Sequence, residues 1–154
     1  MDEFALARAL HVAGVVLWIG GVALVTTVFL PILRANENPQ EAFALFHRTE
    51  QAFIWQARFT TLITGFSGFY MLYILDAWDR YQSIEYWWVH LMTLIWLIFS
   101  LVMFVLEPFV LPKLIGSKVQ SNPAKALKMV HRVHWLLSAL SLLTIMGAVY
   151  GAHV

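Results

Sequence analysis

The chain has 154 residues, of which 60% are hydrophobic and 12% charged, with a formal net charge of +1. That composition excludes an ordinary soluble domain. The absence of cysteine excludes disulfides, iron–sulfur clusters and thiolate zinc sites.

Hydrocarbon roughly 30 Å thick is crossed by about 20 apolar residues at a 1.5 Å rise each. The first such stretch, Phe4–Leu30, predicts a helix over about 4–31 that stops at Pro31, with Asn36–Asn38 as a loop. Its apolar run is too long for a signal-peptide core, and acidic Asp2 and Glu3 stand where basic residues are usual. It is therefore expected to stay as a structural helix. The second helix, about 40–76, starts at Pro39 or Gln40. Phe43, Phe46, Ile54 and Ala57 recur there at helical spacing, as an amphipathic cytoplasmic extension feeding the short span Phe59–Leu75. Tyr70, Tyr73, Trp78, Tyr81, Tyr86, Trp87 and Trp88 then crowd one boundary, as interfacial aromatic belts do. The third helix, about 85–112, contains Trp87–Leu111 and is expected to kink or end near Glu107–Pro108 and Pro112. The fourth, about 123–151, has Asn122 as its cap and Pro123 as its first residue.

Short connections make this one all-α domain over 1–154, an integral-membrane four-helix up-down bundle. Arg34, Arg48, Arg58, Lys113, Lys118, Lys125, Lys128 and Arg132 flank the first and third connections. Only Arg8 and Arg80 fall on the other side, beside Asp2, Glu3, Asp76, Asp79 and Glu85. The positive-inside rule puts the first and third connections in the cytoplasm and both termini outside, in a multi-pass protein of the cytoplasmic (inner) membrane. Topology alone explains the basic face, so no nucleic-acid partner is needed.

Imidazoles at membrane depth are costly and often serve as ligands. His11 lies about two turns into helix 1 and His90 about one turn into helix 3, counted from the same side. In an up-down bundle these helices are diagonal, on the order of 11–14 Å apart when neighbouring axes lie 8–10 Å apart. Two imidazoles on one haem iron span such a distance. Gly14, Trp18 and Gly21 share the His11 stripe, the glycines leaving room for a porphyrin and Trp18 packing on its edge. The plainer alternative is a pair of histidines hydrogen-bonded to neighbouring helices, with the glycines as ordinary helix contacts.

On the cytoplasmic side, His47, Gln51, Ile54, Arg58, Thr61, Gly65 and Gly68 form one stripe of helix 2. His131, His134, Ser138 and Ser141 form another on helix 4. A second haem, a quinone pocket or a metal site at His47, His131 and His134 would fit, with His134 nearest the hydrocarbon. Arg58 could hold a haem propionate, pair with Glu50 or Glu107, or snorkel to headgroups, which is the default at that depth.

Ala9-Leu10-His11 through Trp18-Ile19-Gly20-Gly21, then Phe29-Leu30-Pro31, resembles the first helix of HemJ-type protoporphyrinogen oxidases and related CopD-like membrane proteins. Trp87-Trp88-Val89-His90 is similar to the second histidine site of the HemJ family. The resemblance implies haem b held by His11 and His90, and oxidation of protoporphyrinogen. The chain departs from the pattern at Leu91-Met92-Thr93, where the HemJ family has a lysine, and at His47-Arg48, where it has paired arginines.

Four functions follow. The first is a bis-histidine haem b protein carrying electrons within or across the membrane, with a quinone or a redox subunit as partner; its oligomeric state is open. The second is a HemJ-type oxidase. The third, copper handling, lacks the thiolates that soft Cu(I) prefers. The fourth is a structural subunit without a cofactor.

Overall fold

The computed structural model describes residues 3–110 and 122–151. Four helices make up almost all of them. Helix α1 covers Glu3–Arg34 and passes through a π-helical turn at Val25–Phe29. Helix α2 covers Pro39–Ile74. Two 3₁₀ turns, Trp78–Gln82 and Ile84–Tyr86, lead into α3, Trp87–Leu101, which continues as a π-helix over Val102–Val110. Helix α4 covers Pro123–Gly151. The expected end of the third helix at Pro112 lies outside the described residues.

Local chemistry sets the helix ends. Asn38 caps α2 by accepting from the Gln40 and Glu41 backbone N–H groups, with Pro39 first in the helix. The far end closes as a Schellman turn. Asp76 takes the left-handed conformation (φ 49°), and the Ala77 and Asp76 N–H groups bond the Leu72 and Tyr73 carbonyls. Asn122 caps α4 through the Lys125 N–H.

Pro31 does not end α1, contrary to expectation, and the reason lies in the π turn. Leu30 N–H reaches back five residues to the Val25 carbonyl. The next residue, Pro31, has no N–H, so the Thr26 carbonyl is left without its helical donor. His131 Nε2–H supplies one from α4 at 2.9 Å, while Arg34 donates to His131 Nδ1 at 2.9 Å. The same device recurs in α3. Pro108 sits inside the π segment, five residues beyond Met103, whose carbonyl accepts from Arg58 Nε and Nη2 at 3.1 and 2.9 Å. Each proline therefore frees a carbonyl, and a side chain of another helix takes it.

Neighbouring helices run antiparallel. His11 meets Thr64 and Gly21 meets Phe53; Gly65 meets Trp96 and Arg58 meets Met103; Trp87 meets Gly147. One core cluster joins Trp18, Ile19 and Val22 to Ile95 and Phe99, and a second joins Leu30 and Leu33 to Ala42, Phe46 and Leu127. Large apolar side chains such as Val16, Trp55, Phe66 and Met146 point outward, each more than 60% exposed. A soluble chain would hide that surface; hydrocarbon solvates it. Glu3–Arg34, Ile84–Phe109 and Pro123–Gly151 are each long and apolar enough to cross a membrane, so the chain is a membrane protein with transmembrane helices.

Candidate cofactor-binding cavity

A cavity of about 570 Å³ opens inside the bundle at the end that carries the α2–α3 turns. His11, Val15 and Trp18 of α1 line it, with Gly65, Gly68 and Phe69 of α2. Val89, Met92, Thr93 and Trp96 come from α3, and Ser141 and Thr144 from α4. Arg8 and Arg80 also contribute to its wall. The size lies within the usual range for a small-molecule or cofactor site.

His11 is held in one tautomer. Its Nδ1 lies 2.9 Å from the Thr64 carbonyl, which can only accept, so Nδ1 carries the proton. The Ser67 hydroxyl is 3.3 Å from the same nitrogen and already donates to the Ile63 carbonyl. Nε2 is then left with a free lone pair and makes no hydrogen bond among the described residues. Metal-binding histidines are commonly prepared in this way, one nitrogen fixed by a carbonyl and the other presented to the ligand. Gly68 permits the arrangement, since a Cβ there would lie 3.1 Å from His11 Cε1.

Two further polar atoms belong to this cavity's wall residues. Trp18 and Ser141 are 3% and 2% exposed, and neither Trp18 Nε1 nor Ser141 Oγ has a hydrogen-bond partner among the described residues. A buried group left this way costs about 1–3 kcal/mol. An occupant with lone pairs would relieve both. Trp18 otherwise sits edge-on to Phe99, with ring centroids 5.0 Å apart.

His90, the other expected ligand, is engaged at Ser83 and Tyr81. Its Nε2 donates to the Ser83 carbonyl at 3.2 Å, and its ring stands edge-on to Tyr81 at 5.5 Å. It lines a neighbouring pocket, of about 460 Å³, with Ser83, Ile84 and Trp87, and Tyr81 lines both pockets. Helical periodicity explains the difference. Val89, Met92, Thr93 and Trp96 repeat at i, i+3, i+4 and i+7 and form the face toward the cavity, whereas His90 is turned about 100° from Val89.

The glycines of the His11 stripe also serve another purpose. A Cβ at Gly14 would fall 2.5 Å from Thr64 Oγ1, and one at Gly21 would strike the Phe53 ring. Both are sites of close α1–α2 approach rather than space for a flat ring. Gly65 and Gly68, assigned by sequence to the stripe continuing from His47, line the cavity, as does Gly151. Ser141 lines it too, whereas Ser138 bonds Thr26 at 2.9 Å.

Arg58 neither snorkels nor faces the cavity. It donates to Glu107 Oε2 at 2.8 Å and to the Met103 carbonyl, and lies between the Trp55 and Phe104 rings. The cytoplasmic histidines are separated by their partners. His47 is exposed beside Gln51 and Glu50, His131 is committed to Thr26 and Arg34, and His134 Nδ1 donates to the Val130 carbonyl beside Phe46. His131 is buried. Among the described residues no group of three or more His, Asp or Glu side chains is placed to hold a metal ion. Burial pushes the Glu50 carboxyl above its usual range, His47 opposes that shift, and Glu107 adds to it.

Comparison with protein-family models, with curated proteins and with solved structures gives no match.

Proposed function

We propose that the chain is an integral-membrane haem b protein that carries electrons, in which His11 Nε2 would hold the iron inside the cavity. The observation that carries this reading is the His11 tautomer, fixed by the Thr64 carbonyl beside a cavity of cofactor size. The residues present suit a porphyrin. Phe69, Trp18 and Trp96 offer flat apolar walls, and Arg8 and Arg80 offer charge to two carboxylates. Haem, when bound, supplies one-electron chemistry. The chain's own part is to bind it, orient the imidazole and exclude water. The HemJ-like and CopD-like segments at His11 and His90 are compatible with this assignment, and a quinol or a membrane redox subunit is the proposed electron partner. By charge distribution, the first and third connections are assigned to the cytoplasm, with the cavity in the outer leaflet of the inner membrane.

Purified protein should give a sharp Soret band, and reduction should sharpen the visible bands at a stoichiometry of one haem per chain. His11→Ala should lose the pigment while the protein still elutes as a folded species. A colourless wild-type protein, purified from haem-sufficient cells, ends this reading.

A further inference from the structure

We propose that the thioether of Met92, not the imidazole of His90, is the second protein ligand that this cavity offers to a haem iron; the inference rests on the haem reading above. His11 Nδ1 is bonded to α2 through Thr64. In an imidazole ring the two nitrogens point in roughly opposite directions, so Nε2 faces away from that carbonyl. The helix diagonal to α1 is α3, and its face toward the cavity carries Met92.

Several other lone-pair donors of the wall are engaged or badly placed. The Tyr81 hydroxyl is bonded to Thr93 Oγ1 at 2.6 Å. Met71 belongs to α2, the helix that His11 Nδ1 already faces. Ser141 and Thr144 are neutral hydroxyls, poor ligands for haem iron beside a thioether. His90 lies in the other pocket, bonded to Ser83. Histidine–methionine ligation raises a haem potential relative to two histidines. A relatively high-potential acceptor is the property that exchange of α3 ligands would bring.

The test uses the holoprotein in detergent. Ferric wild type should show the far-red charge-transfer band of a thioether–iron bond by magnetic circular dichroism. Met92→Leu, close in volume, should abolish that band while keeping the haem stoichiometry. Met92→His should give a bis-imidazole spectrum and disfavour reduction at least tenfold, about 59 mV for one electron. Met71→Leu should leave band and potential as in wild type. The proposal is overturned if wild type is already bis-imidazole and His90→Ala changes it, if Met92→Leu leaves the spectrum untouched, or if Met71→Leu removes the band. Pigment that depends on His11 and His90 defeats this proposal alone; a colourless wild-type protein defeats the haem reading with it.

Discussion

Arg58 shows how a single charge is accommodated inside an apolar bundle. Its guanidinium satisfies the Glu107 carboxylate and the Met103 carbonyl together, and its faces lie 5.6 and 5.8 Å from the Trp55 and Phe104 ring centres. Removing one partner of such a pair strands the other. Both side chains are about a fifth exposed, which tempers the loss. Arg58→Ala should therefore cost about 2 kcal/mol, read as a lower thermal midpoint in a fixed detergent. Replacing both partners with apolar residues, Arg58→Met with Glu107→Leu, should recover much of it. An unchanged midpoint in the single variant would mean that the pair contributes nothing. Sequence made Glu107 one of several candidate partners, but snorkelling was the default because nothing local ties two residues 49 positions apart. His11 was legible as an interior ligand candidate from its depth alone. The partner that fixes its tautomer, a backbone carbonyl of α2, leaves no mark in any sequence pattern.

At the scale of the helix, the two prolines act by altering register rather than by ending the element. Pro31 and Pro108 each fall where an i to i−5 ladder would need their missing N–H, and His131 and Arg58 replace it. Pro108→Ala restores a donor near the Met103 carbonyl. Arg58→Ala should then cost less in the Pro108→Ala background than in wild type, by on the order of 1 kcal/mol of coupling. Strict additivity in that double-mutant cycle would refute the substitution of side chain for backbone. Helix positions were legible to within a few residues because apolar length, Asn caps and N-terminal prolines are local signals. Continuation of α1 through Pro31 to Arg34 was not, since the compensating donor comes from α4. The engagement of His90 with the Ser83 carbonyl has a different origin: the period that places Val89, Met92, Thr93 and Trp96 on the cavity wall was present in the sequence.

For the whole molecule, a four-helix membrane bundle was legible because nearly the entire chain is spent on apolar stretches, and hydrocarbon demands length before anything else. The sidedness proposed from the Lys and Arg distribution is open to a direct test. No native cysteine interferes, so single replacements report it directly. Gln82→Cys should react with a membrane-impermeant maleimide in intact cells, and Glu37→Cys only after the membrane is opened. The reverse pattern would invert the bundle and move the cavity to the cytoplasmic leaflet. The cavity itself was illegible: its walls come from all four helices, and its unpartnered Trp18 and Ser141 atoms become conspicuous only once their neighbours are known.

The Arg58–Glu107 contact also bears on how the protein is made. Ribosomal synthesis delivers α2 well before α3, so the arginine leaves the exit tunnel while its carboxylate is still untranslated. Glu107 lies on the helix that follows, so α2 by itself carries an unpaired guanidinium, and the pair can form only once both helices are present.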